Sequence, residues 1–334
     1  MKTISGNPRR DLTASNVYSC GDYAYKLDPY YDKLPAELRK AAYPAGICDK
    51  DDNIYLVSRN PNQIVVLDSS GNFVRTIGQG LFVSLHDIKV TAENTLICMD
   101  VLQHVAREID MDGNLIRDFG TLNTPSDSGF DPNIWDRLRA EGLYVTYDSY
   151  YNADLDFLER VRSIKRSAPP FNRPTGVALN SKNEIYFSDG YGNASIHKFT
   201  RDGKLLKTWG EPGRGPGKFT VAHAIWIDPL DRVWVCDREG NAVHVFSGDG
   251  GILAYASGGF LQPSGIWGDA SHVYIGERGG GLSIFDLDIT LVAQIGFAFS
   301  SLRFHGLCGD SAGNLFVIPL NSFPGHRLMK LTRV

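Results

Sequence analysis

The chain has 334 residues, of which 43% are hydrophobic and 22% are charged, and its formal net charge is −4. This composition is typical of a soluble globular protein, and the scattered Lys and Arg residues argue against a nucleic-acid surface or a membrane-binding patch. No stretch approaches the roughly 20 apolar residues of a membrane span, and the N-terminus lacks a signal-peptide pattern. Five widely spaced cysteines without a C-x-x-C motif favour a reducing compartment. We therefore expect a cytoplasmic protein.

A unit of about 40 residues recurs along the chain, which is the period of a β-propeller blade. Each copy has a short entry of the P-x-G-I/V type, strands of alternating polarity and turns rich in Gly, Asp and Asn, so it predicts four short strands. The copies cover residues 44–78, 86–120, 174–210, 222–256, 263–296 and 305–334. The sequence thus predicts an all-β fold: a single domain over residues 1–334 that forms a six-bladed β-propeller.

Two segments lie outside the repeat. The last copy is one strand short, and residues 17–27 are expected to supply the closing strand and so join the two ends of the chain. Residues 121–170 interrupt the period between blades 2 and 3, are rich in Tyr and charge, and contain a candidate helix around 153–165. This insertion is either a surface elaboration or a lid over the propeller axis, since long loops in compact domains are often functional.

The repeat position just before each innermost strand carries a histidine in every second blade. Innermost strands line the central channel, so side chains from alternate blades are related by an approximate three-fold rotation and would converge on the axis. Three imidazoles with an open position are typical of a catalytic zinc site, although imidazole also binds other divalent transition metals. In blades 1 to 6 the residues are Ala45, His86, Thr175, His223, Ser264 and His305. We interpret the remaining histidines as strand or surface residues: His104, His197, His244, His272 and His326.

A second repeat position, at the end of the next strand, reverses its charge in one blade. Blades 2 to 5 carry an acid there, whereas blade 1 carries Arg59, which indicates either a role in a site or an exposed ion pair. Just beyond this position lie Tyr191, Arg238 and Arg278, at the expected channel mouth. Tyr191 is either a packing residue or a base, and Arg238 either pairs two blades or binds a carboxylate. The acids are Asp100, Asp189, Asp237 and Glu277.

These segments resemble the NHL-type propellers of peptidyl-α-hydroxyglycine α-amidating lyase, in particular its prokaryotic relatives. The resemblance covers nearly the whole chain from Tyr43 except the insertion, and it is carried by LFVSLHDI, MDVLQHV, SDGYGN, VCDREGN and the final HGL and LMKLTRV. The resemblance implies a zinc ion held by three histidines, a catalytic tyrosine and two active-site arginines. It further implies cleavage of a carbinolamide, an N-acyl hemiaminal, into an amide and an aldehyde such as glyoxylate. The matching residues are His86, His223 and His305 for the metal, and Tyr191, Arg59 and Arg238 for catalysis.

Three positions depart from the family pattern. Gly192 replaces the cysteine after the tyrosine, so the family's disulfide is not expected. Gly306 replaces the acid after the third histidine, which argues against the family's structural Ca²⁺. Arg303 adds positive charge two residues before His305, so the substrate is expected to be a small anionic molecule.

Three functions remain open on the sequence alone. The first is a metal-dependent lyase acting on an α-hydroxylated N-acyl compound or a related small hydroxy-acid derivative. The second is a metal-dependent hydrolase or lactonase in the same scaffold, although calcium lactonases favour carboxylate and Asn ligands. The third is a non-catalytic propeller that binds a partner through its loops, since one fold hosts many functions.

Overall fold

The computed structural model describes residues 2–3, 11–12, 16–143, 149–296, 302–319 and 327–334. The predicted six-bladed β-propeller is confirmed: six separate sheets supply the blades, and their innermost strands contact one another in a closed ring. The chain enters through β1 (Lys2–Thr3), β2 (Asp11–Leu12), β3 (Val17–Cys20) and β4 (Tyr23–Asp28), followed by a short 3₁₀ helix (Leu38–Lys40).

Blades 1 to 3 each contain four antiparallel strands in chain order. Blade 1 consists of β5 (Ala42–Cys48), β6 (Ile54–Arg59), β7 (Gln63–Leu67) and β8 (Phe73–Ile77). Blade 2 consists of β9 (Leu85–Val90), β10 (Leu96–Asp100), β11 (Val105–Ile109) and β12 (Leu115–Phe119). Helices α1 (Ile134–Ala140) and α2 (Ser149–Arg162) follow, and then blade 3 with β13 (Gly176–Leu179), β14 (Ile185–Asp189), β15 (Ser195–Phe199) and β16 (Leu205–Trp209).

The second half of the ring repeats this pattern after a short parallel pair, β17 (Glu211–Pro212) and β18 (Lys218–Phe219). Blade 4 consists of β19 (Ala222–Ile227), β20 (Val233–Asp237), β21 (Ala242–Phe246) and β22 (Ile252–Ser257), with β1 added in parallel at its outer edge. Blade 5 consists of β23 (Pro263–Gly268), β24 (His272–Glu277), β25 (Leu282–Asp286) and β26 (Leu291–Ile295). Blade 6 contributes β27 (Gly306–Gly309), β28 (Leu315–Ile318) and β29 (Met329–Arg333).

The second and third strands of the blades are almost entirely buried, because both faces of each sheet pack against neighbouring blades. These strands are therefore rich in apolar residues, whereas the fourth strands of blades 1 to 3 are largely exposed. The tight turn before the fourth strand is built by an aspartate: in blade 1, Asp68 Oδ1 accepts the amides of Ser70 and Asn72, both at 2.9 Å. The same Asx arrangement recurs at Asp110 and Asp286, which explains the repeated turn sequence.

Blade 6 is completed by strands from the other end of the chain. Strand β4 pairs antiparallel with β29, with Tyr25 opposite Arg333, and β3 then pairs with β4. The segment expected as one strand over 17–27 is therefore two strands, because Gly21 adopts a positive φ of 57° and reverses the chain between them. The ring is thus joined by pairing of chain segments that are far apart in sequence.

The insertion contains two helices where the sequence indicated one. Helix α2 begins and ends earlier than the expected 153–165, and α1 was not predicted. Helix α2 is followed directly by Ser163, whose hydroxyl donates to the Arg160 carbonyl and accepts a hydrogen bond from the amide of Asp131. Val161 in the last turn of α2 and Ile164 just after Ser163 belong to the core cluster that holds Phe219 and Ala222 of the blade 4 region. The described end of the insertion is therefore packed onto the propeller.

Two further findings concern the chain as a whole. Within the described residues no helix is both long and apolar enough to cross a membrane. All five cysteines are free thiols.

Candidate metal centre and active-site pocket

Two of the three predicted axial histidines lie on β-bulges at the start of an innermost strand. In blade 2, Leu85 lies opposite Asp100 and Asp87 opposite Met99, so His86 between them is the extra residue. His223 of blade 4 occupies the equivalent bulge. A bulge bends its strand and changes the direction of the side chain. His305 precedes the first strand of blade 6, and its amide donates to the Ile318 carbonyl at 2.8 Å.

The three imidazoles converge on one buried point. His86, His223 and His305 are at most 5% exposed, and each offers a ring nitrogen within 4.8 Å of the others. Their ring centroids are 4.8 to 5.2 Å apart. We call these three residues the axial histidines; together they can hold a metal ion.

Carbonyl groups of the following blades fix the tautomer of each axial histidine. A carbonyl oxygen only accepts hydrogen bonds, so every Nδ1 must carry the proton and every Nε2 presents a lone pair. This arrangement orients metal-binding imidazoles in proteins generally. His86 Nδ1 donates to the Thr175 carbonyl at 2.6 Å, His223 Nδ1 to the Ser264 carbonyl at 2.8 Å and His305 Nδ1 to the Pro44 carbonyl at 2.8 Å.

The same environment keeps these imidazoles neutral. Burial is the main cause that lowers the pKa of His86 well below its usual value, and the neighbouring His305 and Arg59 lower it further. Burial and then Arg238 lower the pKa of His223, and burial, Arg238 and Arg59 lower that of His305. Neutral imidazole is the form that binds a metal.

The hydroxyl group of Tyr191 lies against the axial histidines. Its oxygen is 2.9 Å from His86 Nε2 and 3.0 Å from His223 Nε2, and Arg238 Nη1 donates to it at 2.9 Å. One hydroxyl proton can satisfy only one of these two lone pairs, so the other nitrogen faces an oxygen without a proton between them. A cation among the nitrogens would satisfy them together, so the donor set fits a divalent transition metal.

The loop that carries Tyr191 is held close to the insertion. The Tyr191 amide donates to the Arg173 carbonyl at 3.3 Å, and Ser128 of the insertion donates its hydroxyl hydrogen to the Gly192 carbonyl. A Cβ atom at Gly192 would lie 2.4 Å from Asn172 Oδ1 and 2.7 Å from its carbonyl oxygen, so the cysteine of the resembling family has no room here. The space beside Gly192 is thus occupied by Asn172, whose side-chain amide donates to Ser126 and Ser128 of the insertion.

Both predicted arginines lie beside the axial histidines. Arg238 is buried, and its Nε donates to Glu239 Oε1 at 2.7 Å. Burial lowers the pKa of Arg238, but Tyr191 and Glu239 outweigh burial and raise it overall. The ion pair thus lies within one loop and does not join two blades.

Within the described residues, Arg59 does not form the exposed ion pair that was the alternative to a role in the site. Its side chain is half-buried, and Nε donates at 2.9 Å to the carbonyl of Leu85, the residue before His86. Burial is the main reason that the pKa of Arg59 is lower than the ordinary arginine value. Arg59 thereby brings a charged group into the site at the repeat position where other blades have an acid.

Those strand-end acids have a structural role. Asp100 accepts the amides of Val83, Ser84, Leu102 and Gln103 at 2.7 to 3.2 Å. Asp189, Asp237 and Glu277 likewise accept amides from the loop that enters the innermost strand of their own blade. Because these carboxylates are buried, each replaces backbone hydrogen bonds that an irregular loop cannot make internally.

A pocket of about 310 Å³ opens beside His305 and Tyr191, and we call it the arginine pocket. The predicted residues Arg59, Tyr191, Arg238 and His305 line it, as does Arg278. The sequence did not indicate four further lining residues, which come from the insertion or its end: Phe130, Phe157, Arg160 and Arg173. The Phe157 ring packs edge-on against Tyr191 at 5.7 Å, so α2 forms part of the pocket wall. The insertion lies outside the blade repeat, so the repeat alignment could not show that these residues line the pocket.

The other predicted positions are also accounted for. His104, His197, His244 and His272 make contacts outside the axial cluster, and His326 lies outside the described residues. A Cβ atom at Gly306 would lie 2.6 Å from the Pro44 carbonyl oxygen, so an acidic side chain there would have to displace the backbone that orients His305. This observation is consistent with the absence of the family's acid at this position.

Comparison with known proteins finds an NHL repeat within the propeller. A sequence model of the NHL repeat matches residues 171–199. NHL repeat-containing protein 3 of Homo sapiens is 36% identical over 252 residues, which are 72% of this chain and 62% of that protein. With its Mus musculus counterpart the match covers 44% of that protein, so the chain spans about half the length of these relatives.

A shorter match links the chain to amidating lyases. Peptidyl-alpha-hydroxyglycine alpha-amidating lyase 1 of Drosophila melanogaster is 32% identical over 96 residues, which are 26% of this chain and 18% of that protein. Among solved structures, a gluconolactonase from Xanthomonas campestris superimposes with a TM-score of 0.61 at 14% identity, covering 99% of this chain and 96% of that one. At that identity the superposition shows the shared fold alone.

Proposed function

We propose that this protein is a metal-dependent lyase that cleaves an α-hydroxylated N-acyl compound, with zinc held by His86, His223 and His305. The observation that carries the proposal is the Tyr191 hydroxyl, which lies within 3.0 Å of two metal-binding nitrogens and accepts a hydrogen bond from a buried arginine. A propeller that only binds a partner would not need a tyrosine hydroxyl, histidine nitrogens and a buried arginine in mutual contact. The local similarity to amidating lyases supports the same reaction class.

A divalent ion at the axial histidines would supply Lewis-acid polarisation of the substrate hydroxyl. Deprotonated Tyr191 takes the hydroxyl proton, and the guanidinium of Arg238 offsets the charge on the phenolate oxygen. The electron pair left on the substrate oxygen forms the carbonyl bond as the carbon–nitrogen bond breaks. The departing amide nitrogen then recovers the proton from Tyr191, so no other reactant is consumed.

We further propose that the substrate is a small anion whose carboxylate binds at Arg59 and Arg238. Both guanidinium groups line the arginine pocket beside the phenol oxygen. Planar guanidinium groups bind carboxylates with two parallel hydrogen bonds and so fix their orientation. An α-hydroxyglycine group has its carboxylate on the carbon that bears the hydroxyl, so this contact would orient the bond that breaks.

The test combines metal content with turnover. Elemental mass spectrometry of the purified protein is expected to find about one equivalent of a transition metal, and the double variant His86→Ala/His223→Ala is expected to lose it. The matched control is His272→Ala, which should retain the metal. The imidazole of His272 is hydrogen-bonded to the Tyr23 hydroxyl, away from the axial histidines. Release of glyoxylate from an N-acyl-α-hydroxyglycine should stop after chelation and return with added zinc. A folded wild-type protein that takes up no metal would refute the proposal and leave a binding propeller.

A further inference from the structure

The arginine pocket has more positive charge than a single carboxylate requires. Five arginines line it: Arg59, Arg160, Arg173, Arg238 and Arg278. In the described part of the chain only two of them form an ion pair with a carboxylate, Arg160 with Asp156 and Arg238 with Glu239. Among the described residues, the guanidinium groups of Arg59, Arg173 and Arg278 therefore line the pocket without an ion pair to a carboxylate, and the carboxylate of Asp156 lies near Arg173.

These arginines fall into two groups along the pocket. Arg59 and Arg238 lie near the axial histidines, because Arg59 donates to the carbonyl of Leu85 and Arg238 donates to the Tyr191 hydroxyl. Arg160 lies on α2 of the insertion and Arg173 lies over the Phe130 ring, and both line the same pocket. The aromatic rings of Phe130 and Phe157 lie beside these groups.

The second group is held in place by specific contacts. The Arg173 guanidinium stacks over the Phe130 ring at 4.8 Å, and its backbone amide donates to His104 Nδ1 at 3.1 Å. Arg160 Nε and Nη2 bind the two oxygens of Asp156, each at 2.7 Å, one turn earlier on α2. Arg173 is thus fixed through its ring contact and its backbone, which leaves its charged edge available to a ligand.

We propose that the substrate carries two anionic groups, and that Arg173, assisted by Arg160 of the insertion, binds the second one. This inference rests on the proposed function, because the first anion is the carboxylate assigned to Arg59 and Arg238. The second group is a carboxylate or a phosphate, since both match the two-pronged geometry of arginine. The segment between the two anions would lie along Phe157 and Phe130, so it is expected to be apolar. The insertion would then set specificity as well as cover the site.

Binding of simple anions tests the inference without turnover. Straight-chain dicarboxylates from malonate to adipate are titrated calorimetrically, each against the monocarboxylate and the ω-phosphono acid of equal chain length, at fixed ionic strength. We expect one chain length at which the dianion binds about 10-fold more tightly than the monocarboxylate, a difference of about 1.4 kcal/mol, because the second anion adds a charge-assisted contact. Comparison of the dicarboxylate with the phosphono acid identifies the second group.

The variant Arg173→Gln should abolish this preference while leaving monocarboxylate binding unchanged. Glutamine keeps the backbone contacts of residue 173 to His104 and Tyr191. Arg214→Gln is the matched control, because it removes the same charge from an exposed residue outside the arginine pocket. Equal affinity for mono- and dianions at every chain length, or the same loss in both variants, would overturn the second subsite.

The outcomes separate this inference from the proposed function. A dianion preference that depends on Arg173, found in a protein that neither holds metal nor releases glyoxylate, would support the subsite and reject the lyase. Metal binding and turnover without any dianion preference would support the lyase and reject the subsite.

Discussion

Replacing Tyr191 by Phe removes the hydroxyl group that contacts Nε2 of two axial histidines and a buried guanidinium. The ring itself should stay in place, because Phe157 and the His86 ring pack edge-on against it at 5.7 and 5.0 Å. If Tyr191 takes the substrate proton, kcat should fall by about 100- to 10,000-fold, the usual contribution of a positioned acid or base. KM should change little, because Arg59 and Arg238 remain.

Metal content should be unchanged in the same variant. Each axial imidazole is oriented by a carbonyl at Nδ1, and these contacts do not involve the phenol. Elemental mass spectrometry and glyoxylate release would be measured side by side, with Tyr186→Phe as control, since the Tyr186 hydroxyl donates to Gly248 outside the pocket. Loss of metal from the Tyr191 variant would make Tyr191 a ligand, and unchanged kcat would remove it from the mechanism.

Two further predictions concern stability. Burial lowers the pKa of His244 to about 3 in the folded protein, whereas the pKa of an unfolded histidine is about 6.5. When the pH falls below about 6.5, the unfolded chain therefore binds a proton that the folded chain excludes, and stability decreases. Between pH 7 and pH 5 the wild type should lose about 2 kcal/mol more free energy of unfolding than His244→Phe; equal losses in urea titrations of the metal-free proteins would contradict this. Asp100→Ala leaves four amide donors without their acceptor and should reduce the free energy of unfolding by about 3 kcal/mol or more. Asp112→Ala, which breaks only an exposed ion pair with Arg75, should have little effect, and a similar loss in both would refute this role of Asp100.

The axial site could be predicted because it is a property of the repeat. Once the units are aligned, His86, His223 and His305 fall on alternate copies of one position, and rotational symmetry places them on the axis. Arg59 was recognisable for the same reason, as a departure from the acid of the other blades. The bulges that direct His86 and His223 inward follow from the same repeated strand entry.

The roles of several other residues depend on contacts that the repeat does not contain. The strand-end acids were visible as a pattern, but their role in binding backbone amides appears only when the preceding loop is folded against them. The backbone carbonyls of Pro44, Thr175 and Ser264 fix the histidine tautomers. Because every residue has a backbone carbonyl, the amino-acid sequence does not show which ones accept these hydrogen bonds.

The sequence by itself determined the propeller, its six blades and the three histidines, because periodicity and local turn chemistry are carried by neighbouring residues. Only the tertiary structure decided where the insertion lies and which side chains it adds to the site. Its helices have no register with the blades, and their position depends on the packing of Val161 and Ile164 against residues more than fifty positions away. For that reason Phe157, Arg160 and Arg173 became recognisable as pocket residues only in the folded chain.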